Sequence, residues 1–98
     1  MAVFFVGRAQ QDLDEAWLYI AEESLSAADN MIATILREAK VLATQPLMGR
    51  QRPDLARGLR SWPTSTSYIL FYAIKGDDVV VIRVLHHARD MQHITWFH

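Results

Sequence analysis

The sequence contains no cysteine, which excludes disulfide bonds and thiolate chemistry. Its four glycines are scattered and form no glycine-rich phosphate loop. No apolar run is long enough to cross a membrane, and no signal peptide opens the sequence. We therefore expect a cytoplasmic protein without membrane contact.

Motifs of several enzyme classes are also missing. There is no Gly-x-Ser-x-Gly nucleophile turn and no His-Glu-x-x-His helix. The four histidines do not have the spacing of a zinc site; they are His86, His87, His93 and His98. We therefore predict no metal and no cofactor.

The residues that are present indicate one folded domain over residues 1–98. Hydrophobic residues make up 51% of the chain, which excludes a disordered protein. Charge is unevenly distributed: residues 1–49 carry a net charge of −4 and residues 50–98 a net charge of +3. Six of the seven basic residues in the second half are arginines, which suit forked contacts to carboxylate or phosphate.

Hydrophobic periodicity predicts a short strand followed by two helices. Residues 3–6 read as a strand. Helical spacing of apolar residues predicts helices from about residue 10 to 23 and from about 27 to 43, the second with Ser26 as its N-cap. The short connection between them predicts an antiparallel helical hairpin.

The second half of the sequence predicts strands. We expect a short strand at 59–61, a stronger one at 68–74, and a third from 79 to 85 or 86, which forms a hairpin with the second. The predicted fold is α+β, in the order β-α-α-β-β-β, with the helical hairpin on one face of a small, mostly antiparallel twisted sheet.

Both faces of the predicted hairpin of strands are apolar, although two tightly joined helices cover only one face. We therefore expect the second face to be open to a partner, or partly covered by the residues after Asp90. Strict alternation places Arg83 with Val79, Val81 and Leu85. Because an unpaired arginine beneath the helices is costly, we predict that this set lies on the open face, where Arg83 reaches solvent, Asp90 or a partner.

Two interpretations of the polar residues at the end of the last strand stay open. One is structural: His86 packs beneath the helices, and Arg89 with Asp90 satisfies backbone groups where the strand leaves the sheet. The other is catalytic, with His86 or His87 moving protons and arginines steadying an RNA phosphate. We predict no catalytic residues and assign structural roles to His86 and Asp90.

Several stretches resemble the ParE branch of the ParE/RelE toxin superfamily. They are Pro46 and Gly49 before the arginines, "GLR" at 58–60, the strand 68–72, and "RVLH" at 83–86 followed by Arg89-Asp90. The resemblance extends from the first strand to Asp90.

This resemblance implies the toxin of a type II toxin-antitoxin system, associated with plasmid stabilisation, wrapped by a ParD-like antitoxin and acting on DNA gyrase without catalysis of its own. RelE-type relatives instead cut messenger RNA on the ribosome, often with a C-terminal tyrosine, and this sequence has no tyrosine after Tyr72. Alternatives are therefore a ribosome-dependent ribonuclease and an inactive toxin-like binding module. We expect no direct sequence-specific binding of nucleic acid. The predicted antitoxin- or target-binding residues are Arg57, Arg60, Arg83, His87, Arg89, Trp96 and Phe97.

Overall fold

The computed structural model describes residues 2–97 and confirms the predicted α+β architecture. Two helices pack on a mixed five-stranded sheet. In chain order the elements are β1 (Val3–Phe5), α1 (Gly7–Ala21), α2 (Leu25–Thr44), β2 (Arg50–Gln51), β3 (Arg60–Pro63), β4 (Tyr68–Lys75) and β5 (Asp78–His86). Within residues 2–97, no helix is long and apolar enough to span a membrane.

The two helices form the predicted hairpin, but the second begins earlier than expected. The N-cap of α2 is Ser24, whose hydroxyl accepts a hydrogen bond from the Ala27 N–H at 3.1 Å, and not Ser26. The Trp17 indole N–H donates to Asp29 at 2.8 Å and so joins α1 to α2. The hairpin is therefore fixed by a cap at its turn and by a polar contact between its arms.

The strands lie in the order β1-β5-β4-β3-β2. Pairing is antiparallel except between β1 and β5, where Val3 pairs with Val79 in a parallel register. The short strand β2 was not predicted, because its residues belong to an arginine-rich segment without an apolar pattern. Gly76, with φ of 59°, begins the two-residue turn between β4 and β5, where a primed turn needs a positive φ.

The helices cover one side of the sheet, which we term the helix face. Its sheet residues are Tyr68, Leu70, Tyr72, Val79, Val81 and Val84, and they pack on Ala9, Ala16, Ile35, Ala39 and Leu42 of the helices. The three alanines among these helix residues are buried and small, and they allow a close approach of the helices to the sheet. This is the main core of the protein.

A β-bulge in β5 corrects the predicted alternation. Tyr72 pairs with Val81 and Phe71 pairs with Arg83, so Ile82 is an extra residue. Val79 and Val81 therefore lie on the helix face, and Val80 and Ile82 on the opposite side, the reverse of the prediction. Beyond the bulge, Val84 and Leu85 take the predicted sides.

The opposite side, which we term the tail face, is largely covered by the chain itself. Its buried residues are Leu59, Phe71, Ile82, Leu85 and Trp96. Trp96 lies in the segment after β5 and its ring centre is 4.7 Å from that of Phe71. Of the two expectations for this face, cover by the residues after Asp90 describes the structure better than an open partner surface.

Candidate functional site

Arg83 is not on an open surface. It is 6% exposed and forms two hydrogen bonds with Asp12 of α1, from Nε to Oδ2 at 2.7 Å and from Nη2 to Oδ1 at 3.0 Å. Arg8, which is exposed on the surface, also forms an ion pair with Asp12, from Nη1 to Oδ1 at 3.5 Å. The predicted position of Arg83 was therefore wrong, because its charge is balanced by a buried partner that the sequence did not reveal.

The position of Asp12 follows from the short length of β1. The β1 pairing stops at Phe5, and beyond it only the Val6 N–H continues to the Val81 carbonyl at 3.1 Å. The next part of the β5 edge has no neighbouring strand, and Asp12 Oδ2 accepts the Val84 N–H there at 2.9 Å. The Asp12 carboxylate thus accepts hydrogen bonds both from a backbone N–H at the edge of β5 and from a buried guanidinium.

One signal for Asp12 was present in the sequence. Helical spacing places it on the same face as Ala9 and Ala16, both of which are buried. Acidic residues in the first turns of a helix are commonly explained by the helix dipole, so such a residue does not by itself indicate a buried ion pair. An acidic residue on the apolar face of a helix, together with an arginine inside an apolar strand, is a pattern that could have indicated this ion pair, but the sequence analysis did not use it.

The segment of residues 50–60, which we term the arginine loop, lies at the opposite edge of the sheet. Arg52 contacts Asp54 through Nε at 3.1 Å and Nη2 at 2.9 Å, and these hydrogen bonds lower the pKa of the Asp54 carboxyl. Arg60 donates to the Gly49 carbonyl at 2.7 Å. One arginine is therefore neutralised locally, and another is held in a defined orientation.

Tyr72 anchors the segment that leads into the arginine loop. Its hydroxyl accepts the Gly49 N–H at 2.9 Å and donates to the Pro46 carbonyl at 2.7 Å. Burial raises the pKa of Tyr72, although the Gly49 hydrogen bond and the charge of Arg60 oppose this. A Cβ at position 49 would meet the Tyr72 ring, so only glycine allows this approach.

A cavity of about 320 Å³ opens beside the arginine loop. Two of the predicted binding residues, Arg57 and Arg60, meet there. The complete lining is Gln51, Pro53, Arg57, Gly58, Leu59 and Arg60. The structure therefore brings these two arginines together and separates them from the other predicted residues.

The end of β5 forms a second, smaller cavity of about 150 Å³. His86 and Arg89 line it together with Glu15 of α1, which places His86 partly beneath the helices. The His86 Nδ1 accepts the Ala88 N–H at 3.1 Å, and its ring packs edge-on against Tyr68. Burial, with a smaller contribution from Tyr19, raises the pKa of Tyr68.

The remaining predicted residues lie at or beyond this end of the sheet. His87 stacks on His86 with ring centres 4.5 Å apart and is exposed, as is Arg89. Asp90 is exposed and accepts the Gln92 N–H at 2.9 Å, so its backbone contact is within the tail and not at the strand itself. Trp96 is 8% exposed on the tail face, whereas Phe97 is 40% exposed.

The sequence analysis did not predict one further surface, which lies on the helical hairpin. A groove of about 250 Å³ runs along the outer side of the helical hairpin and is lined by Gln10, Leu13, Asp14, Trp17 and Ile32. Helical spacing places Leu25 and Leu36 on the same stripe of α2 as Ile32, and they are 63% and 39% exposed. The outer side of the hairpin therefore presents apolar side chains to solvent.

The class of this protein by fold is therefore α+β, with a helical hairpin on a five-stranded sheet and with exposed apolar and arginine-rich surfaces. A solved structure described as the chromosomal ParDE toxin-antitoxin system from P. aeruginosa has the same fold, with a TM-score of 0.75 and 20% sequence identity over 88% of this chain and 95% of that chain.

Sequence comparison identifies the family. The family model described as the ParE toxin of the type II toxin-antitoxin system, parDE, matches residues 3–91. Toxin ParE3 of Caulobacter vibrioides is 33% identical over 78 residues, which cover 76% of this chain and 74% of that protein. The chain belongs to the ParE toxin family.

Proposed function

We propose that this ParE toxin inhibits DNA gyrase and is neutralised by a tightly binding, ParD-like antitoxin. The observation that carries the proposal is the family match over residues 3–91, which includes both helices and the whole sheet. The similar ParDE system from P. aeruginosa supports an antitoxin partner for this chain. In this setting the toxin would contribute to plasmid or chromosomal maintenance.

We assign the antitoxin to the groove on the outer side of the helical hairpin. An amphipathic helix laid in such a groove inserts apolar side chains at helical spacing. Leu13, Trp17 and Ile32 provide the apolar lining, and Asp14 provides a charge at the edge. This assignment replaces the open sheet face as the main antitoxin surface, because Trp96 and its neighbours already cover that face.

We assign contacts with the target to exposed residues elsewhere on the surface. Arg57, His87, Arg89 and Phe97 are exposed, and Arg60 is half-buried but lines the first cavity. Arg83 and Trp96 are left out of this surface, because each is buried and engaged within the fold. None of the target contacts requires the toxin to make or break a bond.

A supercoiling assay tests the target. Purified toxin, free of antitoxin, should block supercoiling by purified gyrase and leave cleaved DNA, while translation continues in a cell extract. The ribonuclease alternative draws on His86 or His87 with Arg83, although Arg83 is engaged by Asp12 in this structure. Normal supercoiling at excess toxin, with messenger RNA cut only when ribosomes are present, would establish that alternative. Absence of both effects would identify an inactive binding module.

A pair of variants on α2 tests the antitoxin surface. Leu36→Glu places a charge beside the groove, and Val41→Glu places the same charge at a residue of similar exposure, 44%, that lies elsewhere around the helix. The Leu36 variant should weaken antitoxin binding at least tenfold, as loss of an apolar anchor does, and the Val41 variant should not. Equal effects in a titration calorimetry experiment would move the antitoxin to another surface.

A further inference from the structure

The arginine loop concentrates positive charge that the protein does not neutralise. Four arginines and one aspartate lie within residues 50–60. Asp54 is occupied by Arg52 through both oxygens. Within residues 2–97, the side chains of Arg50 and Arg57 form no hydrogen bond or ion pair, and both residues are exposed. An excess of guanidinium groups therefore faces solvent at one edge of the sheet.

The cavity beside this loop is arranged for a small anionic group. Gln51 pairs with Arg60 across β2 and β3, so the amide and the guanidinium belong to the same side of the ribbon. The Gly49 carbonyl fixes one end of the Arg60 guanidinium and leaves its other donors available. Gly58, with φ of 80° and open space where a Cβ would stand, leaves room beside Arg57.

The lining contains two guanidinium groups and no acidic side chain. Its amide and its glycine backbone supply further polar groups, and the apolar Leu59 is only 1% exposed. This cavity therefore gives little apolar surface to a peptide that binds through apolar anchors, whereas the outer groove of the hairpin does provide such a surface. An anion whose affinity rests on charge needs no such anchors.

We propose that the arginine loop is a binding site for the phosphodiester backbone of nucleic acid, without sequence preference. Arg57 and Arg60 contact one phosphate in the cavity with the forked geometry that guanidinium groups favour. Arg50 precedes Gln51 in β2 and pairs with Ser61, so its side chain lies on the opposite side of the ribbon and takes no part in this contact. The site is a property of the isolated toxin and goes beyond the proposed inhibition of gyrase.

Direct binding measurements at low salt test this site. The probes are a short fluorescein-labelled DNA duplex and a poly-glutamate peptide of the same charge, each followed by anisotropy with purified toxin. The affinity for DNA should fall with salt with a log–log slope of about −2, as two guanidinium groups on the backbone produce. The peptide should bind at least tenfold more weakly than the DNA.

Two variants of equal net charge locate the site. Arg57→Gln should weaken DNA binding about tenfold, the loss of one charged hydrogen-bonding contact, and reduce the salt slope by about one. Arg37→Gln removes an exposed arginine from α2 and should leave the affinity within twofold of the parent. Equal losses in the two variants, equal binding of DNA and peptide, or no salt-dependent DNA binding would each overturn the proposal. A gyrase assay is not involved, so the result is independent of the target.

Discussion

The two faces of the sheet are covered in different ways. On the helix face, two helices pack through a continuous apolar core, and polar contacts such as the Arg83–Asp12 pair fasten them to the sheet. On the tail face, a segment without regular secondary structure lies over the strands, with Trp96 as its buried anchor. Within residues 91–97, the backbone hydrogen bonds are local, such as Ile94 N–H to the Met91 carbonyl at 3.4 Å.

This difference predicts unequal local stability. A face fastened by helices and buried ion pairs opens only when the protein unfolds, whereas a segment held by one aromatic anchor can detach by itself. We therefore expect the helix face of the sheet to stay covered until the protein unfolds, and the tail face to become exposed when the segment that carries Trp96 detaches.

The largest expected effect is on the helix face, at Asp12. Asp12→Ala leaves the Arg83 guanidinium buried without its partner and the Val84 N–H without its acceptor. Loss of one partner of a buried pair costs about 3–5 kcal/mol. Urea denaturation should show this loss. The double variant Asp12→Ala/Arg83→Ala should regain part of it, because the isolated charge is gone, and a double variant no more stable than the single one would contradict this explanation.

A smaller effect is expected where the helix face meets the arginine loop. Tyr72→Phe keeps the ring in the core but removes the acceptor of the Gly49 N–H and the donor to the Pro46 carbonyl. Leaving such buried groups unpaired costs about 1–3 kcal/mol. Tyr68→Phe is the matched control on the same strand and should cost less, since the hydrogen bonds of the Tyr72 hydroxyl have no equivalent there. Equal losses in thermal denaturation would contradict the anchoring role.

On the tail face, Trp96→Ala tests whether the cover is removable. Truncation of a tryptophan within a cooperative core costs about 3–5 kcal/mol. Here we expect only about 1–2 kcal/mol, because the tail segment can detach with a gain in chain entropy while the rest of the fold stays intact. Hydrogen exchange should show lost protection around Phe71 without global unfolding. A loss as large as that of Asp12→Ala would make the two faces equivalent and remove the contrast between them.

The smallest effect concerns Glu38, which joins α2 to the β3–β4 connection. Its carboxylate accepts the Trp62 indole N–H at 3.2 Å and the Ser65 N–H and hydroxyl at 2.9 and 2.6 Å. Burial alone raises the pKa of Glu38, but these hydrogen bonds and the charge of Arg37 outweigh it and hold the pKa below the ordinary value of 4.5.

A carboxyl group with a lowered pKa in the folded state stabilises the protein above its unfolded pKa, and this contribution is lost as the pH falls through the folded value. The melting temperature of the parent should therefore exceed that of Glu38→Gln at neutral pH. The difference should shrink below about pH 4.5. A difference that is constant from neutral to acidic pH would show that the charge on Glu38 contributes nothing.

Much of the fold could be predicted from local patterns. The helical spacing in α1 and α2, the turn at Gly76 and the apolar runs of β4 and β5 each indicate their own element. The alternation in β5 failed at Ile82, because a bulge depends on the register with a neighbouring strand and leaves no local signature. Strand β2 was missed because it pairs through its backbone at the edge of the sheet and carries no buried side chain.

The candidate site was less predictable than the fold. Arg83 and Asp12 are 71 residues apart, so only the tertiary structure joins them. Whether Arg83 was buried and paired or exposed and solvated could not be decided from its strand alone. By contrast, Arg57 and Arg60 are close in sequence and flank Gly58, and their meeting at one cavity follows from a single tight loop.

The parallel pairing of β1 with β5 has a consequence for the order of synthesis. Within residues 2–97, β1 pairs with β5 alone, and beside this pairing the Ala2 N–H donates to the Asp78 carboxylate at 3.3 Å, across 76 residues of sequence. A nascent chain therefore holds both helices, with their inner faces uncovered, well before the strand that completes the sheet is translated.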